Sequence, residues 1–296
     1  MKFFRLPHAA DGSLRAHLFH RTHAAPVVDP PSEPTHPDDP TVNLVMDLAL
    51  RIGELQLASG AGASEVTATL LAVMEELGLP RAEVDVIFTS ITATCHRGPW
   101  LAPVTAMRVV RSRRLDYTRL TQTEVLVRKI LAGRLSARAA HAEMEAISLA
   151  PHPYPRWLPT VAWGGLAAFV TLILGGGFDI ALAAFGITAI VDRLGRLLNN
   201  VALPFFFQQV VGGVVATLSA MAVVSINLFT TDKPTLVAAA SLTVLLSGLS
   251  LVGAVQDAIT GYSVTAAGRT IEIMLMSAGL ITGVVVALKI AVSLGF

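Results

Sequence analysis

The sequence predicts an α-helical polytopic membrane protein, with about five transmembrane helices behind an N-terminal α+β cytosolic domain. Three observations predict it. Residues 1–156 hold seventeen of the 22 Lys+Arg and all eight histidines, whereas residues 157–296 hold only five basic and five acidic residues. From Trp157 onward, apolar runs of membrane-spanning length follow one another. Residues 42–150 instead mix helical and strand periodicities at ordinary polarity. For the whole chain, 15% charged residues and a mean hydropathy of +0.62 lie outside the soluble range, where about 25% of residues are charged.

The first forty residues are rich in proline, with Pro26, Pro30, Pro31, Pro34, Pro37 and Pro40, and poor in bulky apolar residues. They predict a disordered tail, 1–40, with no apolar signal segment. The cytosolic domain, 41–150, begins with a helix whose apolar face carries Leu44, Leu48, Ile52 and Leu55. Gly60-Ala61-Gly62 breaks it, and Ser64 is placed to cap a second helix with Val66, Leu70, Val73, Met74 and Leu77 as its core stripe. The β-branched run from Val84 to Thr94 predicts one or two strands, and Thr105 to Val110 another. Thr121 and Glu124 have capping-box spacing for a helix ending near Leu131, and Ser136 opens a last helix to about Ile147.

The membrane domain, 156–296, reads as spans 157–174, 180–198, 203–229, 235–255 and 271–294. With the N-terminus inside, the Arg193/Arg196 turn and the Arg269 segment fall on the cytoplasmic side, as the positive-inside rule asks. The chain is then a multi-pass membrane protein with a cytoplasmic N-terminus, in contact with lipid.

Polar residues inside this apolar half carry the chemistry. A charge at membrane depth costs roughly 2.5–3.5 kcal/mol, so it faces a pathway or a partner. Gln256, Asp257, Thr260, Gly261, Arg269 and Glu272 sit between two strong apolar runs, where an interrupted helix points to a substrate site. Arg269 has the fork for a substrate carboxylate, and Asp257 or Glu272 could bind an ammonium or carry a proton. The alternative is a cytoplasmic loop with Arg269 and Glu272 paired at i,i+3. Asp192 closes the second span beside Arg193 and Arg196, and Gln208-Gln209 opens the third, where one amide must turn from lipid. Gly279 and Gly283 form a GxxxG, read as close packing. The α+β domain has no P-loop, no GxGxxG and no metal-spaced cluster, which predicts no cofactor, no metal and no nucleotide-driven pump. Cys95 and His96, adjacent in a strand, point to opposite faces and cannot form a nucleophile–base pair. Charges of both signs interleave in this domain, so nothing predicts nucleic-acid binding.

The run Leu48-Ala49-Leu50-Arg51-Ile52-Gly53-Glu54-Leu55, with Ser59-Gly60-Ala61-Gly62-Ala63-Ser64-Glu65-Val66, resembles the opening of the cytoplasmic domain of the threonine/serine exporter (ThrE) family. The segment from Ile130 through Gly133, Leu135 and Ser136 to Ala140 is similar to that domain's end. Gln256-Asp257-Ala258-Ile259-Thr260-Gly261 and Arg269 resemble the polar motif before the family's fifth span. The resemblance covers about residues 42–296. It implies a cytosolic domain, a five-span module and efflux of small polar metabolites, threonine and serine foremost. Full-length members carry a second membrane module, so the chain resembles the first-half form, which in a related two-component system exports succinate, a dicarboxylate. A partner second module or a homo-oligomer is implied.

The sequence therefore points to a secondary exporter or exporter subunit driven by the proton gradient, with a substrate site drawn from Asp257, Thr260, Gly261, Arg269, Glu272, Asp192 and Gln208. Two rivals remain. One is a membrane-tethered hydrolase. The other is a sensor docking a partner through Arg111, Arg113 and Arg114.

Overall fold

The computed structural model describes residues 39–111, 116–151, 153–155, 157–201, 203–225 and 234–294. Residues 1–38 of the expected tail, the loop at 226–233, and Arg113 and Arg114 lie outside the described residues, while Asp39 and Pro40, expected in the tail, open the first helix.

The first helix, α1 (Asp39–Ala58), ends at Gly60, whose φ of 107° only glycine adopts without strain. Helix α2 (Ala63–Glu76) follows. It closes in a Schellman turn, in which Gly78 N–H donates to Glu75 O and Leu79 N–H to Met74 O. Strands β1 (Ala82–Ile87), β2 (Ser90–Cys95) and β3 (Val104–Val109) form an antiparallel meander in that order. Ile87 pairs with Ser90, so Phe88 and Thr89 make a two-residue hairpin turn, and Phe88 takes the left-handed φ of 52° that such turns demand. The period-2 face of β2 buries Ile91, Ala93 and Cys95 against the helices. Gly53 lets α1 approach there: a Cβ on it would lie 2.8 Å from Leu70. Helices α3 (Tyr117–Leu131) and α4 (Ala137–Leu149) complete this α/β layer.

Two caps differ from expectation. Helix α3 starts four residues before Thr121, because Asp116 accepts from the Arg119 N–H at 3.0 Å and nucleates the first turn earlier. Ser64 does not cap α2. It is the second residue of that helix, and the N-cap position is Gly62, which has no side-chain oxygen. Ser136 caps α4 as expected.

The apolar helices are α5 (Leu158–Ile173), α6 (Phe178–Asn200), α7 (Phe205–Ser225), α8 (Pro234–Leu242), α9 (Gly248–Ile259) and α10 (Ser263–Ser293). Helices α7 and α10 are long and apolar enough to cross a membrane, and a third span results if α8 and α9, bent by 48°, are one. The fourth expected span is thus broken at a 3-10 turn, Thr243–Leu245. The Gln209 amide N–H donates to the carbonyl of Leu245 there at 3.3 Å, supplying a partner for a backbone group that a broken helix leaves exposed. Helix α10 begins at Ser263, eight residues before the expected span, because one glycine turn at Gly261 (φ 92°) is enough to reverse the chain.

Helices α7 and α10 touch through glycines. A Cβ on Gly279 would lie 2.6 Å from the Phe206 carbonyl oxygen, and one on Gly283 would overlap that of Val210. The GxxxG spacing brings both backbones to van der Waals contact.

Candidate functional site

The polar residues around Gly261 meet the α/β layer. Asp257, on α9, is 0% exposed. Its Oδ1 accepts the N–H of Ala63 at 2.8 Å. That donor is one of the orphan amides at the start of α2, so a carboxylate 194 residues away performs the capping that Ser64 does not. Negative charge is favourable at a helix N-terminus, which carries a partial positive charge. The other oxygen, Oδ2, lies 2.8 Å from Nη1 of Arg269, on α10. This contact is a close ion pair without the alignment of a directed hydrogen bond. Arg269, 7% exposed, also donates from Nη2 to the Ala61 carbonyl at 3.2 Å.

A second set of contacts lies one turn away. Thr265 precedes Arg269 by four residues and shares its helix face. Its hydroxyl accepts the Phe88 N–H at 2.9 Å and donates to the Val86 carbonyl at 3.2 Å, holding the β1–β2 hairpin. The Phe88 ring covers Gly268, where a Cβ would sit 2.8 Å from it. Tyr262 packs against the α/β core. The helical side contributes side chains to every one of these hydrogen bonds, and the α/β side contributes backbone groups.

Beside the ion pair is a cavity of about 450 Å³, within the range of small-molecule sites. Thr89 and Val110 line it from the α/β layer, Asn199 and Ser250 from the ends of α6 and α9, and Arg269 and Glu272 from α10.

The structure thus gathers Asp257, Arg269 and Glu272. Glu272 is half-buried on the cavity wall, and Arg269 pairs with Asp257. Thr260 is exposed and returns its hydroxyl to the Gln256 carbonyl at 2.9 Å, and Gly261 makes the turn. Asp192 makes its contacts elsewhere: Thr160, on α5, donates to it at 2.7 Å and Arg196 pairs with it. Gln208 donates to the nearby Leu203 carbonyl at 2.6 Å, while its neighbour Gln209 makes the interhelical bond. Thr265, Gly268 and the loop from Gly60 to Ala63 were not singled out as site residues by the sequence. Only the position of Thr265 four residues before Arg269 hints at a shared face.

In the α/β layer, Asp47 joins Arg51 at 2.7 Å, Arg108 at 3.1 Å and His141 at 3.0 Å. Burial works against its charge, but the His141 hydrogen bond and the two guanidinium groups outweigh that and hold its carboxyl below the usual range. Burial pushes the Cys95 thiol up, so it is not a ready nucleophile. Its neighbour His96 faces outward.

A family model, ThrE, described as "Putative threonine/serine exporter", matches residues 47–291. The chain belongs to the threonine/serine exporter family. A "Probable threonine/serine exporter" of Mycobacterium tuberculosis is 39% identical over 252 residues, which is 85% of this chain and 47% of that protein. A "Threonine/serine exporter" of Corynebacterium glutamicum is 34% identical over 88% of this chain and 55% of its own length. The chain therefore spans about half the length of these exporters. It is also 25% identical to the "Probable succinate transporter subunit YjjP" of Escherichia coli, over 83% of this chain and 94% of that subunit. No solved structure matches the chain. This is a family of transporters, not of enzymes, so the hydrolase alternative falls away.

Proposed function

We propose that this member of the threonine/serine exporter family is a secondary exporter, or an exporter subunit, of the bacterial inner membrane. Threonine and serine are its first candidate substrates, and its cytoplasmic loading site is the cavity walled by Arg269 and Glu272. The observation that carries this is the buried Asp257–Arg269 pair at the edge of that cavity, where helices of the apolar layer meet the α/β layer. Arg269 offers a carboxylate its guanidinium, and Glu272 offers an amino group a counter-charge, which together suit a zwitterionic amino acid.

Helix α10 also supports a site at the membrane surface. Its 31 residues extend about 46 Å, against a hydrocarbon thickness of about 30 Å. The first two turns, with Thr265 and Arg269, bond to backbone of the α/β layer, which requires water rather than lipid around it. The substrate site is therefore at the cytoplasmic mouth, with the N-terminus inside and five crossings formed by α5, α6, α7, the bent α8–α9 pair and α10. The residues 41–150 form the cytosolic domain and 156–296 the membrane domain. Proton coupling fits Glu272 at the cavity wall and Asp192 between α5 and α6.

A second reading, a dicarboxylate exporter subunit, rests on the 25% identity to the succinate transporter subunit over 83% of this chain. Under either reading a second membrane module, or a second copy, completes the pathway.

The test is efflux from cells preloaded with a threonine-containing dipeptide or with labelled succinate, with this chain alone and with a second-module protein. Threonine efflux that Ser250→Phe abolishes, with the variant still in the membrane, supports the loading site. Efflux unchanged by filling the cavity in this way removes the site from the pathway.

A further inference from the structure

We infer that the α/β layer is a gate on the cavity and that the Asp257 carboxylate is its latch, released when a carboxylate cargo takes over Arg269. Resting on the exporter reading, this assigns the cytosolic layer a transport role that the family name does not give it.

Three features lead there. The layer forms one wall of the cavity through Thr89 and Val110, so moving it opens that wall. Three side chains of α9 and α10 hydrogen-bond the layer, Asp257 to the Ala63 N–H, Arg269 to the Ala61 carbonyl, and Thr265 to Phe88 and Val86, beside the contacts of the Phe88 ring with Gly268 and of Tyr262 with the layer's core. The layer's share of these hydrogen bonds is backbone, in the Gly60–Ala63 loop or at the β1–β2 hairpin, so the bonds can be exchanged for water once the Phe88 and Tyr262 contacts part. The third feature is chemical. Asp257 uses a helix N-terminus and a guanidinium, the two groups that bind a free carboxylate best. Arg269 belongs both to the latch and to the cavity wall. A cargo carboxylate in the cavity competes with Asp257 for the same cation. Asp257 left without Arg269 is a buried charge held by one amide, a state that favours release of the loop.

The glycines fit this mechanism. A Cβ on Gly62 would lie 3.4 Å from Asp257 Oδ1, and one on Gly253 would lie 3.1 Å from Arg269 Nη1, so both pair members are approached by bare backbone. Gly268 admits the Phe88 ring in the same way.

The sole native cysteine, Cys95, is buried in the α/β core and serves as an internal monitor of unfolding. Val110→Cys puts a second thiol on the cavity wall, at a position 3% exposed. Maleimide labelling of the full chain in bilayers, resolved by mass spectrometry, then reads each thiol separately. We expect Asp257→Ala, and independently Thr265→Val, to speed labelling at position 110 by about tenfold while Cys95 stays protected. Millimolar threonine or succinate is expected to do the same with Asp257 intact. Equal labelling rates with and without Asp257 overturn the latch, and normal efflux in the same protein leaves the exporter reading standing. Labelling of both thiols together also overturns it, making Asp257 a structural clamp. Faster labelling at position 110 with no efflux of either compound keeps the gate and removes the exporter reading.

Discussion

If Asp257 and Arg269 neutralise each other in a buried site, removing one is worse than removing both. Arg269→Ala leaves the Asp257 carboxylate, 0% exposed, with the Ala63 amide as its one remaining partner shown here. An uncompensated buried charge of this kind costs about 3–5 kcal/mol. Asp257→Ala strands Arg269, 7% exposed, on the Ala61 carbonyl and uncaps α2, which adds about 1 kcal/mol for the lost cap. The double variant has no buried charge left, so its loss is the cap and a small void. The double-mutant cycle is therefore expected to show a coupling of about 5 kcal/mol, above the roughly 0.5–3 kcal/mol usual for contacting residues, because each single variant strands a buried charge that the double variant lacks. Thermal unfolding of the purified full chain in one detergent reads it. At about 2–4 °C per kcal/mol, each single variant lowers the midpoint by roughly 10 °C, and the double variant by clearly less than the sum. Additivity within about 0.5 kcal/mol would refute the pairing, whatever the distance between the groups.

Gly283→Leu places a side chain against the Val210 carbonyl of α7 and is expected to lower stability by about 1–3 kcal/mol or more, since backbone must move. Gly165→Ala meets nothing within 4 Å and is expected to be neutral or slightly stabilising, so the pair of melting curves separates contact from glycine content. Asp47 contributes stability that is present above its unfolded pKa, near 3.8, and is lost as the pH falls through its lower folded value. Because its side chain is 42% exposed, Asp47→Asn is expected to cost less than about 1 kcal/mol at pH 7. That difference should shrink as unfolding is followed below pH 4.

Much of the fold is legible in the sequence because it is set by local pattern. The 3.6-residue stripe of Val66, Leu70, Val73 and Met74 fixes the buried face of α2, and the period-2 run of Ile91, Ala93 and Cys95 fixes that of β2. Errors fall where two local signals compete. Asp116 and Thr121 both offer caps for α3, and the earlier and stronger one sets the boundary. The break in the fourth expected span has no proline or glycine within Thr243–Leu245, and Gln209 on another helix supplies a partner for it. Among the candidate site residues, Asp257 and Arg269 are recognisable because charges are costly in apolar sequence. Asp192 is equally conspicuous, yet it bonds to Thr160 and Arg196 rather than to that pair.

The sequence by itself determined where helices and strands form, which half is apolar, and that the charges after Gly261 must have partners. Those properties follow from side-chain chemistry over a few residues or a few turns. The tertiary structure decided who the partners are. Ser64 stands at the start of α2 with a suitable hydroxyl, but Asp257 arrives from 194 residues away with a full negative charge, satisfies the Ala63 amide and meets Arg269 in the same step. No local pattern ranks those two caps. The choice depends on burying a carboxylate against a guanidinium and a helix N-terminus at once, and those groups adjoin only when the two layers pack.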